Sequence, residues 1–352
     1  MRLANRSWSG VALLVLVSAC ENAKTAEARP GTPSAIDVPR HERPLSEWDT
    51  AWVRRPSRAD AILHIRASPA GLHIYDEHDH RLTLMSNAGE TRWRFSGGVT
   101  GAPQLGDVRD VEVDRFGNTY LLDAKAGMVV VVDSLGRLIR QVPTGASDNL
   151  SQLVVLSDGR IVMNAIDKFR FRILQADGTL DGTATIRWPE LTSAHPLARQ
   201  IVMASDPSGN RWVVASRLGA GWVVSEDTTS TSAVYSYIED RPLPSIVKIV
   251  SGAGSTSETF AGYTPCSGCD IALGDSSLYM LAGGTAASAK EVIDRYDLRT
   301  GRYVESIRFT TRLQGVAVDS SRIYVATEDP ESAIIALVQR RRVNAAAGHE
   351  EK

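Results

Sequence analysis

The stretch VRDVEVDRFGNTYLLDAKAGMVVVVDSLGRLIRQV (residues 108–142) decides the fold. Its apolar residues fall in short, β-branched runs separated by turn residues, a pattern that predicts four consecutive strands. Gly117 and Gly136 stand where the tight turns need a residue that tolerates positive φ. This passage therefore predicts a compact unit of four strands joined by short turns.

The same order of strands and turns recurs along the chain. The other copies, complete or partial, lie at residues 63–95, 151–186, 199–217, 269–309 and 313–339. The first turn of each unit centres near Gly71, Gly117, Gly159, Gly209, Ser277 and Ser321. These turns are roughly 40–50 residues apart, except for one interval of about 68 residues. The repeat predicts an all-β protein, a six-bladed β-propeller of four-stranded blades, with an insertion within residues 225–265.

The two ends of the repeat region predict how the ring closes. The last unit supplies only three strands, and the open edge of a sheet attracts unwanted partners. The segment WDTAWVRR (48–55) has the right length for the missing strand, so we expect it to pair with SAIIALVQ (332–339). The alternative is that this N-terminal segment lies loosely on the surface.

The unit at 108–142 resembles a known repeat. Its VEVDRFGNTYLLD is similar to the signature of NHL repeats, which form six-bladed propellers. The preceding GGVTGAPQLGDVRDVEVD is a degraded likeness of the segment that often comes before such repeats, and it lacks the usual Glu-Phe pair. The resemblance covers about residues 62–340 and implies a fold rather than a function.

The N-terminus predicts export and anchoring. Residues 1–19 combine Arg2 and Arg6 with a short apolar run and small residues, as in a bacterial signal peptide. VSAC resembles the lipobox of bacterial lipoproteins, which implies that Cys20 carries the lipid and becomes the first mature residue. The alternative is an ordinary signal peptide with an incidental cysteine. Residues 20–47 are polar and proline-containing, so we expect a flexible tether, and residues 342–352 a polar tail.

Composition limits the partners. The formal net charge is −2, so there is no basic excess to hold phosphate backbones, and nucleic acid is a poor partner. No second apolar stretch has the length of a membrane span. We therefore expect an extracytoplasmic monomer, lipid-anchored to a bacterial membrane in the periplasm or at the cell surface, that meets the membrane through its lipid alone.

Polar residues near the starts of the inner strands are candidate ligands. In propellers these starts gather on one face, and Asp110, Gln152, Asp270 and Gln314 stand there. Carboxylate and amide oxygens suit Ca²⁺, the one cofactor that the sequence suggests. Six-bladed lactone hydrolases use acidic and Asn ligands in a similar way, and this likeness implies a metal-dependent hydrolase. The alternative is that these residues only line a polar channel.

PCSGCD (265–270) holds the other two cysteines of the chain. Haem attachment needs a histidine where Asp270 stands, and a four-thiolate zinc site needs a second cysteine pair. Outside the cytoplasm such a pair tends to oxidise. We therefore expect a Cys266–Cys269 disulfide, while a redox pair or free thiols remain alternatives.

The function that these patterns favour is a binding or scaffold module for a protein, peptide or sugar. No nucleophile elbow, phosphate loop or paired-carboxylate signature is present in the sequence. The alternative function is a metal-dependent hydrolase of lactone or ester type with its site at the axial mouth. A third is a sugar- or peptide-binding lipoprotein that works with a transporter.

Overall fold

The computed structural model describes residues 40–55, 63–98, 104–145, 150–165, 170–184, 186–219, 221–226, 234–238, 242–250, 255–262, 264, 266–283, 290–328 and 333–339. Cys20, the predicted signal peptide and the predicted tail lie outside these residues. No helix in the described part is long and apolar enough to span a membrane.

Six sheets, here blades 1 to 6, follow one another along the chain. Two strands precede them, β1 (Glu42–Arg43) and β2 (Trp48–Arg54). Blade 1 contains β3 (Leu63–Ser68), β4 (Gly71–Asp76), β5 (Arg81–Met85) and β6 (Thr91–Phe95). Blade 2 contains β7 (Val108–Val113), β8 (Thr119–Asp123), β9 (Met128–Val132) and β10 (Leu138–Pro143). Blade 3 contains β11 (Leu150–Val155), β12 (Ile161–Ala165), β13 (Arg170–Leu174) and β14 (Leu180–Ala184).

The second half of the chain repeats this arrangement with one addition. A short helix, α1 (Pro189–Ser193), follows blade 3. Blade 4 contains β15 (Ile201–Ser205), β16 (Trp212–Ser216), β17 (Trp222–Ser225) and β18 (Val234–Tyr235). A separate hairpin contains β19 (Ile246–Val250) and β20 (Thr256–Phe260). Blade 5 contains β21 (Gly268–Leu273), β22 (Ser277–Ala282), β23 (Val292–Asp297) and β24 (Tyr303–Arg308). Blade 6 contains β25 (Leu313–Val318), β26 (Arg322–Thr327) and β27 (Ile334–Gln339).

The blades form a closed ring. The inner strands β3, β7, β11, β15, β21 and β25 contact one another in succession, and β25 contacts β3. Six clusters of buried apolar side chains lie one at each boundary between adjacent blades. Because both faces of a blade are covered, a strand such as MVVVV (128–132) is nearly continuously apolar. The six-bladed propeller predicted from the sequence is confirmed.

The predicted closure is also confirmed. Strand β2 pairs antiparallel with β27, from Trp48 opposite Gln339 to Arg54 opposite Ile334, and so becomes the outer strand of blade 6. Trp48 is buried in the cluster between blades 5 and 6 and Trp52 in the cluster between blades 6 and 1, while the other residues of the strand are exposed.

The predicted tether ends earlier than residue 47, and that boundary is wrong. Strand β1 pairs in parallel with β24 at the outer edge of blade 5. The Arg40 guanidinium lies 3.0 Å from the buried carboxylate of Asp294, and Arg43 contacts the buried carboxylate of Glu305. Ion pairs with distant residues, rather than an apolar repeat, hold this segment, so hydrophobic periodicity gives no signal for it.

The range 225–265 contains two features that the sequence left unassigned. Strand β18 completes blade 4 with only two residues, and the β19–β20 hairpin belongs to no blade. A close contact of 3.0 Å between His195 Nε2 and Glu258 Oε2 joins the hairpin to the segment after α1.

Candidate ligand site at the axial mouth

The inner strands begin around a cavity of about 630 Å³ at one end of the ring axis. Asp110, Gln152, Asp270 and Gln314, the four residues selected from the sequence, all line it. The other charged residues of its lining come from inner strands and from loops at the same end of the blades: His64, Arg66, Glu77, Asp107, Arg109, Arg217, Lys290 and Glu328. The mouth therefore combines charges of both signs.

Asp110 and Gln152 use their oxygens to join adjacent blades. Asp110 Oδ2 accepts the backbone N–H of Leu153 in blade 3 at 2.8 Å. One blade further, Gln152 Oε1 accepts the backbone N–H of Met203 in blade 4 at 3.1 Å. A buried N–H without an acceptor is costly, so these oxygens are part of the ring's structure.

Asp270 and Gln314 do the same on the other side of the ring. Asp270 Oδ2 accepts the backbone N–H of Val316 in blade 6 at 2.9 Å. Gln314 Oε1 accepts the N–H of Leu63 in blade 1 at 3.1 Å, and its Nε2 donates to the carbonyl of Thr327 at 2.7 Å. All four candidate residues thus bind the inner strand of the next blade.

Arg66 lies at the base of the mouth among three carboxylates. Its Nη2 is 3.4 Å from Asp110 Oδ1, its Nε 3.3 Å from Glu112 Oε2 and its Nη1 3.6 Å from Asp270 Oδ1. Ser205 donates to the other oxygen of Glu112 at 2.8 Å. Because these residues belong to blades 1, 2, 4 and 5, the group, here the Arg66 cluster, spans the axis.

Burial and charge act against each other in this cluster. Burial raises the pKa of Asp110 to about 6 and that of Glu112 to about 7, although the Arg66 guanidinium opposes both shifts. Burial lowers the pKa of Arg66, but the carboxylates of Asp270, Asp110 and Glu112 outweigh it and raise the pKa overall. Burial outweighs the guanidinium, so the carboxyl groups of Asp110 and Glu112 are easier to protonate than in water.

The oxygen donors of the mouth do not fit a Ca²⁺ site well. Among the described residues no group of three or more His, Cys, Asp or Glu side chains has the arrangement of a metal site. The carboxylates of Asp110 and Asp270 already face backbone N–H groups and the Arg66 cation. Calcium therefore stays a prediction.

The rim of the mouth carries a histidine–carboxylate hydrogen bond and two ion pairs. His64 Nε2 lies 2.6 Å from Glu77 Oε1, and Lys290 Nζ lies 3.1 Å from Glu328 Oε1. Arg109 Nη2 lies 2.8 Å from Asp107 Oδ2. These pairs are partly exposed, so a ligand can exchange for one partner at little cost.

Arg217 is the cation without such a pair. Its side chain is exposed at the mouth, and the described part of the chain provides no ion-pair partner for it. Its backbone is fixed, because its carbonyl accepts the N–H of Ser267 at 2.6 Å and its own N–H donates to the carbonyl of Gln200 at 2.8 Å. A guanidinium on a fixed backbone is a ready donor for a carboxylate or phosphate.

A disulfide joins Cys266 and Cys269 beside Arg217. Cys269 lines the cavity, and Ser267, between the two cysteines, makes the bond to the Arg217 carbonyl. The disulfide therefore shapes the loop that leads into the inner strand of blade 5.

Sequence reasoning missed Arg66 and Glu112. Arg66 lies in the inner strand LHIRAS (63–68), and Glu112 lies between two buried valines in the inner strand VRDVEV (108–113). A charged residue between apolar neighbours on an inner strand is a signal that could have found them, since a buried charge needs a partner.

Known structures share the fold of this chain at low identity. A selenomethionine-substituted virginiamycin B lyase from Staphylococcus aureus aligns with 83% of this chain and 99% of its own, at a TM-score of 0.53 and 11% identity. A streptogramin B lyase structure aligns with 81% of this chain and 97% of its own, at 0.52 and 12%.

A catalytically inactive variant of the Staphylococcus aureus lyase with quinupristin aligns with 83% of this chain and 99% of its own, at a TM-score of 0.54 and 12% identity. No protein-family model and no curated protein matches the chain, so the resemblance to NHL repeats stays a prediction. At these identities the solved structures support the six-bladed propeller fold alone, and by name they are enzymes.

Proposed function

We propose that this chain is a lipid-anchored, extracytoplasmic β-propeller that binds a short peptide at its axial mouth. One observation carries the proposal: a cavity of about 630 Å³ whose rim presents charged side chains of both signs. A peptide has a carboxylate at one end and an ammonium at the other, so it matches such a rim better than a neutral sugar does.

The rim offers a separate position for each end of the peptide. Arg217 supplies a guanidinium that can hold a carboxylate through two parallel hydrogen bonds. Glu77, which is hydrogen-bonded to His64, and Glu328, which is paired with Lys290, supply carboxylates for the ammonium. The oxygens of Asp110, Gln152, Asp270 and Gln314 hold the blades together and leave recognition to the rim.

Isothermal titration with trialanine tests this proposal. We expect trialanine to bind, and N-acetyl-trialanine amide and maltotriose to bind at least tenfold more weakly, because both lack the terminal charges. Arg217→Ala should weaken trialanine binding by roughly tenfold, the cost of a lost charge-assisted pair.

Arg115→Ala is the matched control. Arg115 is exposed on the turn between β7 and β8, at the opposite end of the inner strands, and its loss should leave binding unchanged. Equal binding of the capped peptide, or an Arg217→Ala variant that binds as the parent does, would contradict the proposal.

The anchor rests on the sequence around Cys20 and is tested separately. Palmitate labelling in a bacterial host should mark the parent chain and spare Cys20→Ala, and the labelled chain should sediment with membranes. Detergent-solubilised protein should elute as a monomer in size-exclusion chromatography. A Cys20→Ala chain that is still labelled would contradict the anchor.

A second candidate function is an enzyme that uses His64. The hydrogen bond of 2.6 Å between His64 Nε2 and Glu77 Oε1 gives a histidine held by a carboxylate beside the cavity, which is the arrangement of a general base. The fold-level neighbours are lyases, one of them in a structure with quinupristin.

Turnover assays separate the two candidates. The parent chain and His64→Ala would be assayed on quinupristin and on a panel of lactones and esters, with Ca²⁺ and with EDTA. Turnover by the parent chain that is lost in His64→Ala would favour the enzyme. Turnover that requires Ca²⁺ would support the metal prediction. Absence of turnover together with trialanine binding would favour the binding module.

A further inference from the structure

A second cavity, of about 480 Å³, lies where the ring closes between blade 6 and blade 1. Its charged lining comes from the end of β2 and from blade 1: Arg54, Arg55, Asp76, Arg81, Glu90 and Arg94. The proposed peptide site uses none of these six residues.

The charge of this cavity is positive. Four guanidinium groups face two carboxylates, and one of these, Asp76, is 5% exposed and turned to its own loop. Asp76 Oδ1 accepts the backbone N–H groups of His78 at 3.0 Å and Asp79 at 3.2 Å. Arg81 is paired with Asp79, whose Oδ2 lies 2.6 Å from its Nη2. The guanidinium groups of Arg54 and Arg94 still exceed the one carboxylate of Glu90, so the cavity keeps a positive excess that attracts anions.

The arginines are arranged around the opening. Arg54 donates from Nε to the carbonyl of Gly89 at 2.7 Å and from Nη1 to the carbonyl of Val53 at 3.1 Å, which fixes its guanidinium. Arg94 is exposed, and no described residue forms an ion pair with it. One arginine is thus held in place, and the other is open to a ligand.

The floor of the cavity is apolar. Leu63, Ile74, Met85 and Ile334 line it and belong to the buried cluster between blades 6 and 1. Each is less than a tenth exposed, so the floor is continuous with the core of this boundary. A hydrocarbon group placed there would leave water, which is favourable.

We propose that this cavity binds an amphiphilic anion, a molecule with a phosphate or carboxylate head and a hydrocarbon part. The arginine forks match the oxygens of such a head, and the apolar floor matches the hydrocarbon. The head can belong to a soluble amphiphile or to an anionic lipid, and the experiment distinguishes these sources.

Titration calorimetry of the Cys20→Ala chain with octyl phosphate tests the site, with octyl glucoside as the uncharged ligand of equal chain length. We expect octyl phosphate to bind at least tenfold more tightly. Arg94→Gln should weaken octyl phosphate binding by about tenfold. Arg92→Gln is the matched control, because Arg92 lies on the same strand but does not line the cavity.

Flotation with phosphatidylglycerol and phosphatidylcholine vesicles identifies the source of the head group. Flotation with phosphatidylglycerol alone assigns the site to an anionic lipid, and absence of flotation assigns it to a soluble amphiphile. Octyl phosphate that binds no better than octyl glucoside, or equally well to Arg94→Gln with an unchanged melting curve, overturns the proposal.

Discussion

Five boundaries between blades differ from the sixth in what joins them near the axis. Five use polar side chains: Arg66 with Asp110, Asp110 with Leu153, Gln152 with Met203, Asp270 with Val316, and Gln314 with Leu63. At the boundary between blades 4 and 5, Val202 stands directly before Met203, as Gln152 stands directly before Leu153, and offers no acceptor.

At that sixth boundary aromatic rings pack farther from the axis, between β17 and β23, the third strands of the two blades. Trp222 packs edge-on to Tyr296, with ring centroids 5.8 Å apart, and the Tyr296 hydroxyl accepts the N–H of Ile238 at 3.1 Å. A ring of blades therefore closes with either kind of contact. A polar residue at the start of an inner strand should therefore be interpreted first as a hydrogen-bonding contact between blades, and only then as a candidate ligand-binding residue.

The largest loss of stability is expected when Arg66, at the centre of the polar contacts between blades, is replaced. Arg66→Met leaves the buried carboxylates of Asp110 and Glu112 without their cation, so we expect the free energy of unfolding in urea to fall by about 3–5 kcal/mol. Arg137→Met, which removes an exposed pair with Asp133 on the opposite face, should cost less than about 1 kcal/mol. Similar losses in the two variants would argue against the Arg66 cluster.

The pH dependence of stability should report the same cluster. Burial raises the pKa of Glu112 to about 7, so between about pH 4 and pH 7 the folded chain holds a proton that the unfolded chain releases. The unfolding free energy must therefore fall as pH rises through this window, by about 3 kcal/mol for this group. Glu112→Gln should lose that slope. Equal slopes in parent and variant, measured by urea titration, would contradict the raised pKa.

The two kinds of boundary should respond differently to single substitutions. Gln152→Val copies the Val202 arrangement and leaves the N–H of Met203 without its acceptor, at a cost of about 2 kcal/mol. Tyr296→Phe removes one acceptor but keeps the ring packing, so it should cost about 1 kcal/mol. Chemical denaturation at pH 7 measures both, and a larger loss in Tyr296→Phe would reverse the comparison.

Reduction of the disulfide should have the smallest effect. Cys266 and Cys269 close a very short loop, so cross-linking removes little entropy from the unfolded chain, and we expect less than about 1 kcal/mol. Differential scanning calorimetry with and without reductant measures this change. A drop of more than a few degrees in Tm would show that the loop supports the ring itself.

The fold could be predicted from the sequence because the patterns that indicate it are local. The Asp-x-x-Gly turns, the β-branched runs and their spacing predict the blades. The missing fourth strand of the last unit and the matching length of residues 48–55 predict the closure. Strand β1 was missed because Arg40 and Arg43 find their partners, Asp294 and Glu305, on blade 5 through ion pairs that no local pattern encodes.

Only part of the candidate site could be predicted from the sequence. Position along the inner strands placed Asp110, Gln152, Asp270 and Gln314 at the mouth, where the structure has them. Their hydrogen-bond partners are backbone groups of the next blade. No sequence pattern indicates which backbone groups these are. The rim pairs, such as His64 with Glu77, depend on the folding of separate loops toward one axis.

Titration calorimetry of trialanine on Gln152→Val, beside Arg217→Ala, tests the central claim most directly. If inner polar residues join blades and the rim binds the peptide, Gln152→Val should keep the parent affinity within about twofold, and Arg217→Ala should lose about tenfold. A folded Gln152→Val variant that loses tenfold in affinity, with Arg217→Ala unchanged, would contradict the account.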